Sequence, residues 1–485
     1  MKTFHAASVE GLCRVFWHIF RISLSFGLLF LDNFILLATI LFARLRSTSS
    51  SNRRQEALQD VHFYPKTVLI TGIGTSPGLA LARAWEAAGH RVVGVDVTDL
   101  DFRLPVRSGG GMSKTLVAFY RVPKDHYLSR ILDIILREKA DIWIPCSPKA
   151  SAIEDATARQ VVERRTNCKC IAFDPDTTAC FRNADTFRQY LTEKKLPVLE
   201  NHQVQSRDSI HKILNRSPSK SYHMRRLSSG PKEAAVILPK RSLSKTYSEV
   251  SEIQISQEFP WVLQQQTRLG EFFADVLLIR GYVHAIKVRL VEARSPHWGA
   301  SRLDEALAKA VHQLMQKFAE KGGSRLTGHL SVRLLVDEEF EASSVRHTIH
   351  IADCVSGAAA LESLILDARC PVKGYLAVLS PDPTEPTPRS VPTTLSPSPR
   401  SRPTIVDHEL VASFLSRFLS LSFTKRLVAA LEAEVIPFLF WKDAQFSTDD
   451  PLPWWWHVHV YQPLREVWQL LRKTREAGLT DTVVR

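Results

Sequence analysis

An apolar run near the N-terminus constrains this chain more than any other feature of its sequence. Residues 22–43 read ISLSFGLLFLDNFILLATILFA, and their one charge, Asp32, lies near the middle. At about 1.5 Å per residue, a helix of this length covers the ~30 Å hydrocarbon core of a bilayer. A central carboxylate costs about 2.5–3.5 kcal/mol on insertion scales, which the leucine, isoleucine and phenylalanine side chains can offset. The run therefore predicts a transmembrane helix within an N-terminal anchor, residues 1–54.

The flanking residues favour an anchor over a signal peptide, because no small-residue cleavage site follows the run. The basic residues on its two sides are Arg44, Arg46, Arg53 and Arg54 after it, and Lys2, Arg14 and Arg21 before it. This slight excess predicts a single-pass membrane protein with its main domain in the cytosol. Two alternatives stay open: a hairpin that dips into the membrane at Asp32–Asn33, and an apolar helix packed on the protein itself.

The net charge of +13 is concentrated in one segment. Residues 205–245 contain ten Lys and Arg residues against Asp208 and Glu233. A solvated flexible loop is the simplest reading of that segment, although basic residues near a membrane can also contact anionic headgroups. The chain has no helix-turn-helix, zinc-finger or RNA-binding signature, so we expect no nucleic-acid partner.

A strand, a glycine turn, a helix and a second strand are predicted in residues 66–96, KTVLITGIGTSPGLALARAWEAAGHRVVGVD. This order begins a parallel sheet covered by helices. The glycine spacing is G-x-G-x-x-x-G, which differs from the strict dinucleotide fingerprint. Two readings stay open. Either the turn binds a dinucleotide with Asp96 on a ribose hydroxyl, or the unit binds nothing there.

The alternation of helices and strands continues to residue 195. The sequence predicts helices at 127–139, 152–165 and 186–195, and strands at 140–145 and 168–174. Short apolar strands between helices are typical of α/β proteins. We therefore expect a Rossmann-like domain over residues 66–180.

From these elements onward, the chain resembles the ATP-grasp superfamily. The segments that carry the resemblance are GIGTSPGLALAR (72–83), DIWIPCSP (141–148), FRNADTFRQYLTEKKLPV (181–198) and WVLQQQTRLGEFFADVLLIRGYVHAI (261–286). The last is the most specific, because it is similar to the family's hinge strand, a G-E turn and a strand of the second lobe. The resemblance implies an α/β fold in which a Rossmann-like pre-ATP-grasp domain precedes a two-lobed ATP-grasp domain at residues 181–375, with a basic insertion at 205–257.

The resemblance also implies ATP and Mg²⁺ as cofactors and assigns candidate residues to ATP. In the family the hinge holds adenine and ribose, a role that falls here on Gln264, Gln265 and Gln266, with Glu271 close by. Arg225 and Arg226 are candidates for phosphate binding, since guanidinium groups suit phosphate. No catalytic residue is assigned.

The family's Mg²⁺ site is altered in this sequence. Its usual acidic ligands correspond to Arg333, His350, Ala352 and Cys354. Mg²⁺ requires hard oxygen ligands, which this set supplies poorly. The weak metal candidates near these positions are Asp337, His350 and Asp353.

Two segments remain after the ATP-grasp region. Residues 376–405 form a Pro/Ser/Thr-rich linker that cannot bury a core. Residues 406–485 are a helical, Trp-rich segment with DPLPWWWHVH at 450–459. Similar D-P-x-P-aromatic tails occur in ATP-grasp proteins of microbial natural-product pathways. His457 and His459 are more often structural than metal-binding when they lack a third ligand.

Three functions follow from these observations. The first is an ATP-dependent carboxylate–amine or carboxylate–thiol ligase acting on a small molecule, resembling the ATP-grasp enzymes of fungal secondary-metabolite clusters such as those for fumisoquin-type isoquinoline alkaloids. The second is a non-catalytic binding protein on the ATP-grasp fold. The third is a short-chain NAD(P)-dependent reductase, for which Tyr190 and Lys194 supply a Y-x-x-x-K pair.

Overall fold

A computed structural model describes most of the chain. The described residues are 2–45, 55, 59, 61, 63–98, 106–199, 201–216, 220–226, 236–255, 261–266, 270–290, 305–341, 344–365, 372–380, 393–396 and 445–483. Within them the α-helices are α1 (Lys2–Leu45), α2 (Ser76–Ala87), α3 (Tyr127–Glu138), α4 (Ala152–Arg165), α5 (Pro175–Arg182), α6 (Ala184–Glu193), α7 (Arg207–Arg216), α8 (Leu243–Glu252), α9 (Glu305–Gly322), α10 (Ala358–Ile365), α11 (Val372–Leu376), α12 (Leu452–Trp456) and α13 (Gln462–Val483). The predicted helix at 406–433 lies outside the described residues.

The first sheet is parallel, which confirms the predicted α/β class. Its strands are β1 (Thr67–Thr71), β2 (Arg91–Thr98), β3 (Ala118–Pro123), β4 (Ile142–Pro145) and β5 (Lys169–Cys170), in the order β3-β2-β1-β4-β5. The predicted strand at 168–174 is longer than β5, which pairs with β4 at two positions only. The chain leaves the ladder there because Pro175 begins α5 with Asp174 as its N-cap.

The turn between β1 and α2 follows directly from its residues. Gly72 has φ +74°, a conformation that L side chains rarely adopt, and an added Cβ would lie 2.6 Å from Ser147 Cα. The Thr75 side chain caps α2 by accepting a hydrogen bond from the Gly78 amide, and Pro77 occupies the first turn, where its missing N–H costs nothing. A sharp turn and a capped helix therefore follow β1.

The second sheet lies next to the first and is mainly antiparallel. Its strands are β10 (Gly270–Ile279), β11 (Tyr282–Leu290), β12 (Gly328–Glu341), β13 (Ser344–Ser356) and β14 (Thr393–Ser396), in the order β13-β12-β10-β11-β14. One face packs on α9, where Phe272, Leu334 and Phe318 are fully buried. The other face is divided. Its apolar half includes Leu277 and joins the core of the first sheet. Its other half is polar.

The third sheet is small, and two of its four strands come from the basic segment. Its strands are β6 (Asn201–Val204), β7 (Ser221–Arg226), β8 (Val236–Leu238) and β9 (Trp261–Gln266), in the order β6-β9-β7-β8. Tyr222, Met224 and Leu263 form its buried core. The described part of the basic segment is therefore folded, and its reading as a solvated loop is wrong. The alternation of apolar side chains in β7 outweighs the local charge.

The tail packs on both the first sheet and the N-terminal helix. α12 is followed by one turn of π-helix, His457–Tyr461, and then by α13. Trp454 is 1% exposed and lies among apolar side chains of α1 and Phe446. Asp450 accepts a hydrogen bond from Arg83 Nε on α2 at 3.2 Å. The two ends of the chain thus meet beside the first sheet.

Candidate functional site

The glycine turn after β1 is filled by the protein itself. An added Cβ on Gly110 would lie 1.8 Å from the Ile73 carbonyl oxygen, so the loop at 109–111 packs directly on the turn. An added Cβ on Gly109 would lie 2.5 Å from the Pro453 carbonyl oxygen, so the tail covers that loop in turn. The glycines therefore allow close packing of backbone on backbone. This geometry favours the reading in which the unit binds nothing at its glycine turn.

Asp96, the residue predicted to hold a ribose under the dinucleotide reading, has protein partners. Its carboxylate accepts a hydrogen bond from the Gly74 amide at 2.8 Å and another from the Ser108 hydroxyl. Burial raises the pKa of Asp96, and these two hydrogen bonds act in the opposite direction. The carboxylate therefore fastens the glycine turn to the loop that covers it.

The Tyr190–Lys194 pair also lies in the wrong place for a reductase. Tyr190 packs against Phe181 and Phe318 beside the second sheet, with ring centroids 5.6 and 6.1 Å away. Burial raises the pKa of Tyr190 to about 12, whereas a tyrosine acting as general acid–base works best with a pKa near the ambient pH. The pair therefore packs on the core of the second sheet, whereas the glycine turn belongs to the core of the first, and this position argues against the reductase hypothesis.

The polar half of the second sheet carries the densest set of charges in the described part of the chain. Asp275 on β10 is fully buried and accepts hydrogen bonds from Arg289 Nε at 2.8 Å and from Ser331 Oγ at 2.5 Å. Lys287 lies opposite Asp275 on β11 and is 2% exposed. Arg289 also lies over the Phe273 ring, 4.2 Å from its centroid. Charges at this depth are costly unless they are paired, and Arg289 supplies the counter-charge of Asp275.

Arg333 joins two further carboxylates on the same face. Its guanidinium lies 2.6 Å from Asp353 Oδ2 on β13 and 3.3 Å from Glu271 Oε2 on β10. Burial alone lowers the pKa of Arg333, but Asp353 and Glu271 outweigh it and raise the pKa. The three side chains are 30–43% exposed, so this ion-pair cluster is open to solvent. We call Glu271, Arg333 and Asp353 the arginine triad.

The residues present do not fit Mg²⁺. A metal needs carboxylate oxygens that are free to bind it, and the arginine triad already commits Glu271 and Asp353 to a cation. Of the weak metal candidates, Asp337 lies opposite Thr348 and His350 lies opposite Leu335, farther along the ladder than the Arg333–Asp353 pair. Within the described residues, no group of three or more His, Cys, Asp or Glu side chains has the arrangement of a metal site.

The hinge glutamines lie where β9 ends, five to seven residues before Glu271. Gln265 is 5% exposed, and its Oε1 has no hydrogen-bond partner. Gln264 lies opposite His223 of β7. Burial lowers the pKa of His223, and the negative charge of Glu271 acts in the opposite direction. The two side chains therefore interact electrostatically, one on the third sheet and one on the second. Gln266 is described by its backbone, which pairs with Ser221.

Arg225 and Arg226 lie at the opposite end of β9 from the hinge glutamines. Their backbones pair with Val262 and Trp261, respectively. Gln264 shares a face of the third sheet with His223, the residue on which the charge of Glu271 acts. Gln265 is paired with Tyr222 and lies on the opposite, buried face, so the structure does not bring the three hinge candidates together on one surface. It places the backbone of the two arginines farther along the third sheet.

Sequence reasoning missed four members of the polar face: Asp275, Lys287, Arg289 and Ser331. A signal was present, because Asp275 and Lys287 each interrupt a strongly apolar strand. Charged residues in such strands are rarely buried without a partner. The sequence does not show that Asp275 and Lys287 lie opposite each other.

Comparisons with known proteins find fold neighbours only. No family model and no curated protein matches the chain. The biotin carboxylase subunit of pyruvate carboxylase matches at 12% identity and a TM-score of 0.47, covering 68% of this chain and 72% of that chain. The biotin carboxylase domain of a thermophilic 2-oxoglutarate carboxylase bound to ADP matches at 11% and 0.42, covering 64% and 69%.

A third neighbour is N5-carboxyaminoimidazole synthetase from Staphylococcus aureus, at 13% identity and a TM-score of 0.35, covering 60% of this chain and 70% of that chain. At identities below 25% and TM-scores below 0.5, these similarities carry no argument about function. Any function must therefore rest on the residues described above.

Proposed function

We propose that this protein is an ATP-grasp-type, ATP-dependent carboxylate–amine or carboxylate–thiol ligase that acts on a small molecule. A carboxylate oxygen would attack the γ-phosphorus of ATP, the bond from that phosphorus to the bridging oxygen would break, and ADP would leave. An amine or thiol would then attack the acyl carbon and release phosphate. No step in this proposal is assigned to Mg²⁺, because the described residues do not fit it.

The observation that carries the proposal is the arginine triad on the second sheet, next to the hinge. Charges are scarce on the faces of well-packed sheets, yet here Glu271, Arg333 and Asp353 form a partly exposed cluster, and the charge of Glu271 acts to raise the pKa of His223 on the third sheet. Clustered, partly exposed polar groups are typical of binding sites. The arginine could contact a phosphate directly if a ligand displaced one of its carboxylate partners.

The hinge offers a place for the base of the nucleotide. Gln265 Oε1 is buried and has no hydrogen-bond partner. An unsatisfied buried acceptor destabilises a protein by about 1–3 kcal/mol unless a ligand supplies the missing donor. An adenine amino group is a donor that such an acceptor would satisfy.

A non-catalytic nucleotide-binding protein is the second candidate, and the arginine triad favours it. Arg333 balances one of the two negative charges of Glu271 and Asp353, so these carboxylates are less available to a divalent cation than free ones. Such a protein would bind the nucleotide without transferring phosphate.

Nucleotide binding and phosphate transfer separate these two candidates. We would titrate the full-length protein in detergent micelles with ATP and ADP by calorimetry, once with EDTA and once with Mg²⁺. Phosphate transfer would be followed as ADP release in the presence of carboxylates and hydroxylamine, which traps acyl phosphates as hydroxamates. Binding with hydroxamate formation supports the ligase. Binding without ADP release supports the non-catalytic protein, and absence of binding under both conditions contradicts both.

A matched pair of glutamine variants tests the hinge. Gln265→Leu removes the buried acceptor and keeps the side-chain volume, so ATP affinity should fall about 2–10-fold, the worth of one hydrogen bond. Gln189→Leu changes an exposed glutamine on α6 and should leave affinity unchanged. Equal affinities of the two variants would exclude Gln265 from the site.

The biological setting remains a proposal. The D-P-x-P-aromatic tail supports a role in fungal secondary metabolism, and α1 supports a location at a membrane, with the main domain in the cytosol. One helix of α1's length and composition is weak evidence for a membrane span, because core helices and signal sequences share these features.

A further inference from the structure

One side of α1 is bound along its length by the tail of the chain. Polar contacts join the two elements: Ser25 Oγ to the Val458 carbonyl at 3.0 Å, Asp32 Oδ2 to His459 Nε2 at 2.8 Å, Trp455 Nε1 to Asn33 Oδ1 at 2.9 Å, and Arg21 and His18 to Glu466. Asp32 and His459 are at most 4% exposed. The charge that the apolar run carries is therefore paired with the protein and not with lipid.

The contacts define an antiparallel arrangement. Asn33 meets Trp455 at one end, and Arg21 meets Glu466 at the other. The twelve helical steps from Arg21 to Asn33 span about 18 Å at 1.5 Å per residue. The tail therefore follows α1 from the middle of its apolar run to the basic residues before it.

The tail is in turn fixed to the first sheet domain. Asp450 accepts hydrogen bonds from Arg83 and from Ser113, the latter at 2.5 Å, and Trp456 Nε1 donates to the Arg107 carbonyl at 3.0 Å. Trp456 is adjacent in sequence to Trp455, whose indole N–H donates a hydrogen bond to Asn33 in the middle of the apolar run. The main domain thus approaches the centre of the stretch that a single-pass arrangement would place at mid-membrane.

A single-pass topology conflicts with these contacts. It would put Arg21 on the side of the bilayer opposite the main domain, and Glu466 would have to follow it there. The tail would then have to cross the hydrocarbon beside α1, between Trp455 and Glu466. The part of the apolar run beyond Asn33, residues 34–43, covers only about 15 Å, half of the hydrocarbon thickness.

The opposite side of α1 presents one continuous apolar stripe. Its members are Ile19, Phe26, Phe30, Phe34, Leu37 and Leu41, which are 53–85% exposed. Spacings of three, four and seven residues place them on a single helical face. Basic residues, Arg14 before the stripe and Arg44 and Arg46 after it, would lie near headgroups if the stripe faced lipid.

We infer that α1 is a monotopic membrane helix, which buries this stripe in one leaflet of an anionic bilayer while both of its ends stay on the side of the main domain. The tail covers the other face of α1 and supplies His459 to Asp32. The partner is a lipid surface, and the inference is independent of whether the protein binds a nucleotide.

Membrane topology is the first test. The full-length chain would be translated in the presence of microsomes with glycosylation acceptor sequons appended at either end. We expect the chain to float with the membranes, with neither sequon glycosylated and both ends sensitive to added protease. Glycosylation of the N-terminal sequon alone would show a single-pass protein, and failure to float would show no membrane contact. Either result overturns the inference.

Vesicle binding is the second test and uses a matched control. The triple variant Phe26→Gln, Phe30→Gln, Phe34→Gln should bind vesicles of phosphatidylcholine and phosphatidylserine at least tenfold more weakly, because each buried phenylalanine contributes strongly to partitioning. Leu243→Gln removes an equally exposed apolar side chain outside the stripe and should not change binding. All four residues are exposed, so folding should be preserved. Unchanged binding of the triple variant would contradict the inference.

Discussion

The degree of burial should determine how much Asp275 and Asp353 each contribute to the stability of the second sheet. Asp275 and Asp353 lie on the same face and each pairs with an arginine, but Asp275 is fully buried whereas Asp353 is 42% exposed. Asp275→Asn would leave Arg289 without its buried counter-charge, and removing one partner of a buried pair costs about 3–5 kcal/mol. Asp353→Asn would weaken an exposed pair, which is worth about 0–1 kcal/mol.

Hydrogen–deuterium exchange, read on peptides from β10 and β12, measures this difference without assuming that the whole chain unfolds in one step. Asparagine keeps the volume of aspartate, so cavity effects are matched between the two variants. Both variants should exchange faster than the unchanged protein. The loss of local opening free energy should be at least about 2 kcal/mol larger in Asp275→Asn than in Asp353→Asn. Equal exchange in the two variants would refute the argument that the buried carboxylate of Asp275 stabilises the sheet as the counter-charge of Arg289.

Three further predictions follow from other sites. Burial lowers the pKa of His329 to about 3, far below its value in an unfolded chain, so its contribution to stability is complete above about pH 6.5 and is lost as the pH falls towards 3. Urea titrations at pH 7 and pH 5 should show a smaller loss for His329→Gln than for the unchanged chain, whereas exposed His126→Gln should match the unchanged chain. Arg333→Asp places a third carboxylate beside Glu271 and Asp353, so thermal melts should show stabilisation by Mg²⁺ that the unchanged protein lacks; no Mg²⁺ effect would mean that these carboxylates cannot converge. Asp450→Ala removes the acceptor of Arg83 and Ser113 at a buried position, so limited proteolysis should release the tail faster than in Asp449→Ala; equal rates would show that Asp450 does not fasten the tail.

The parallel sheet was accessible from the sequence because its signals are local. The predicted helix at 152–165 matches α4, and the capping box of Ser151 and Glu154 that starts it lies within four residues. The strand–turn–helix around Gly72 also follows from residues that are adjacent in the chain. Periodicity and caps act over a few residues, so a single sequence carries them.

The polar face of the second sheet was not accessible in the same way. Arg333 reaches Glu271, which is 62 residues away, and its other partner Asp353 is brought into register by a bulge between Arg333 and Leu334. A one-residue shift in such a ladder moves a side chain to the opposite face. Alignment by resemblance found the substitution at Arg333, but the pairing that explains it depends on strand register.

Two separate oddities of the sequence explain each other in the fold. Asp32 is a charge in an apolar helix, and His459 belongs to an H-x-H pair without a third ligand; 427 residues separate them. Taken alone, Asp32 is a charge whose insertion cost the apolar side chains offset, and His459 is a structural histidine. Together they form a buried pair, and Ser25 Oγ contacts the second nitrogen of that histidine at 3.1 Å. Because burying a lone carboxylate is far more costly than burying a paired one, the pair ties the tail to α1 specifically. Removing the N-terminal helix to obtain a soluble protein would therefore expose Trp454 and leave His459 without its partner. For this reason nucleotide binding should be measured on the full-length chain.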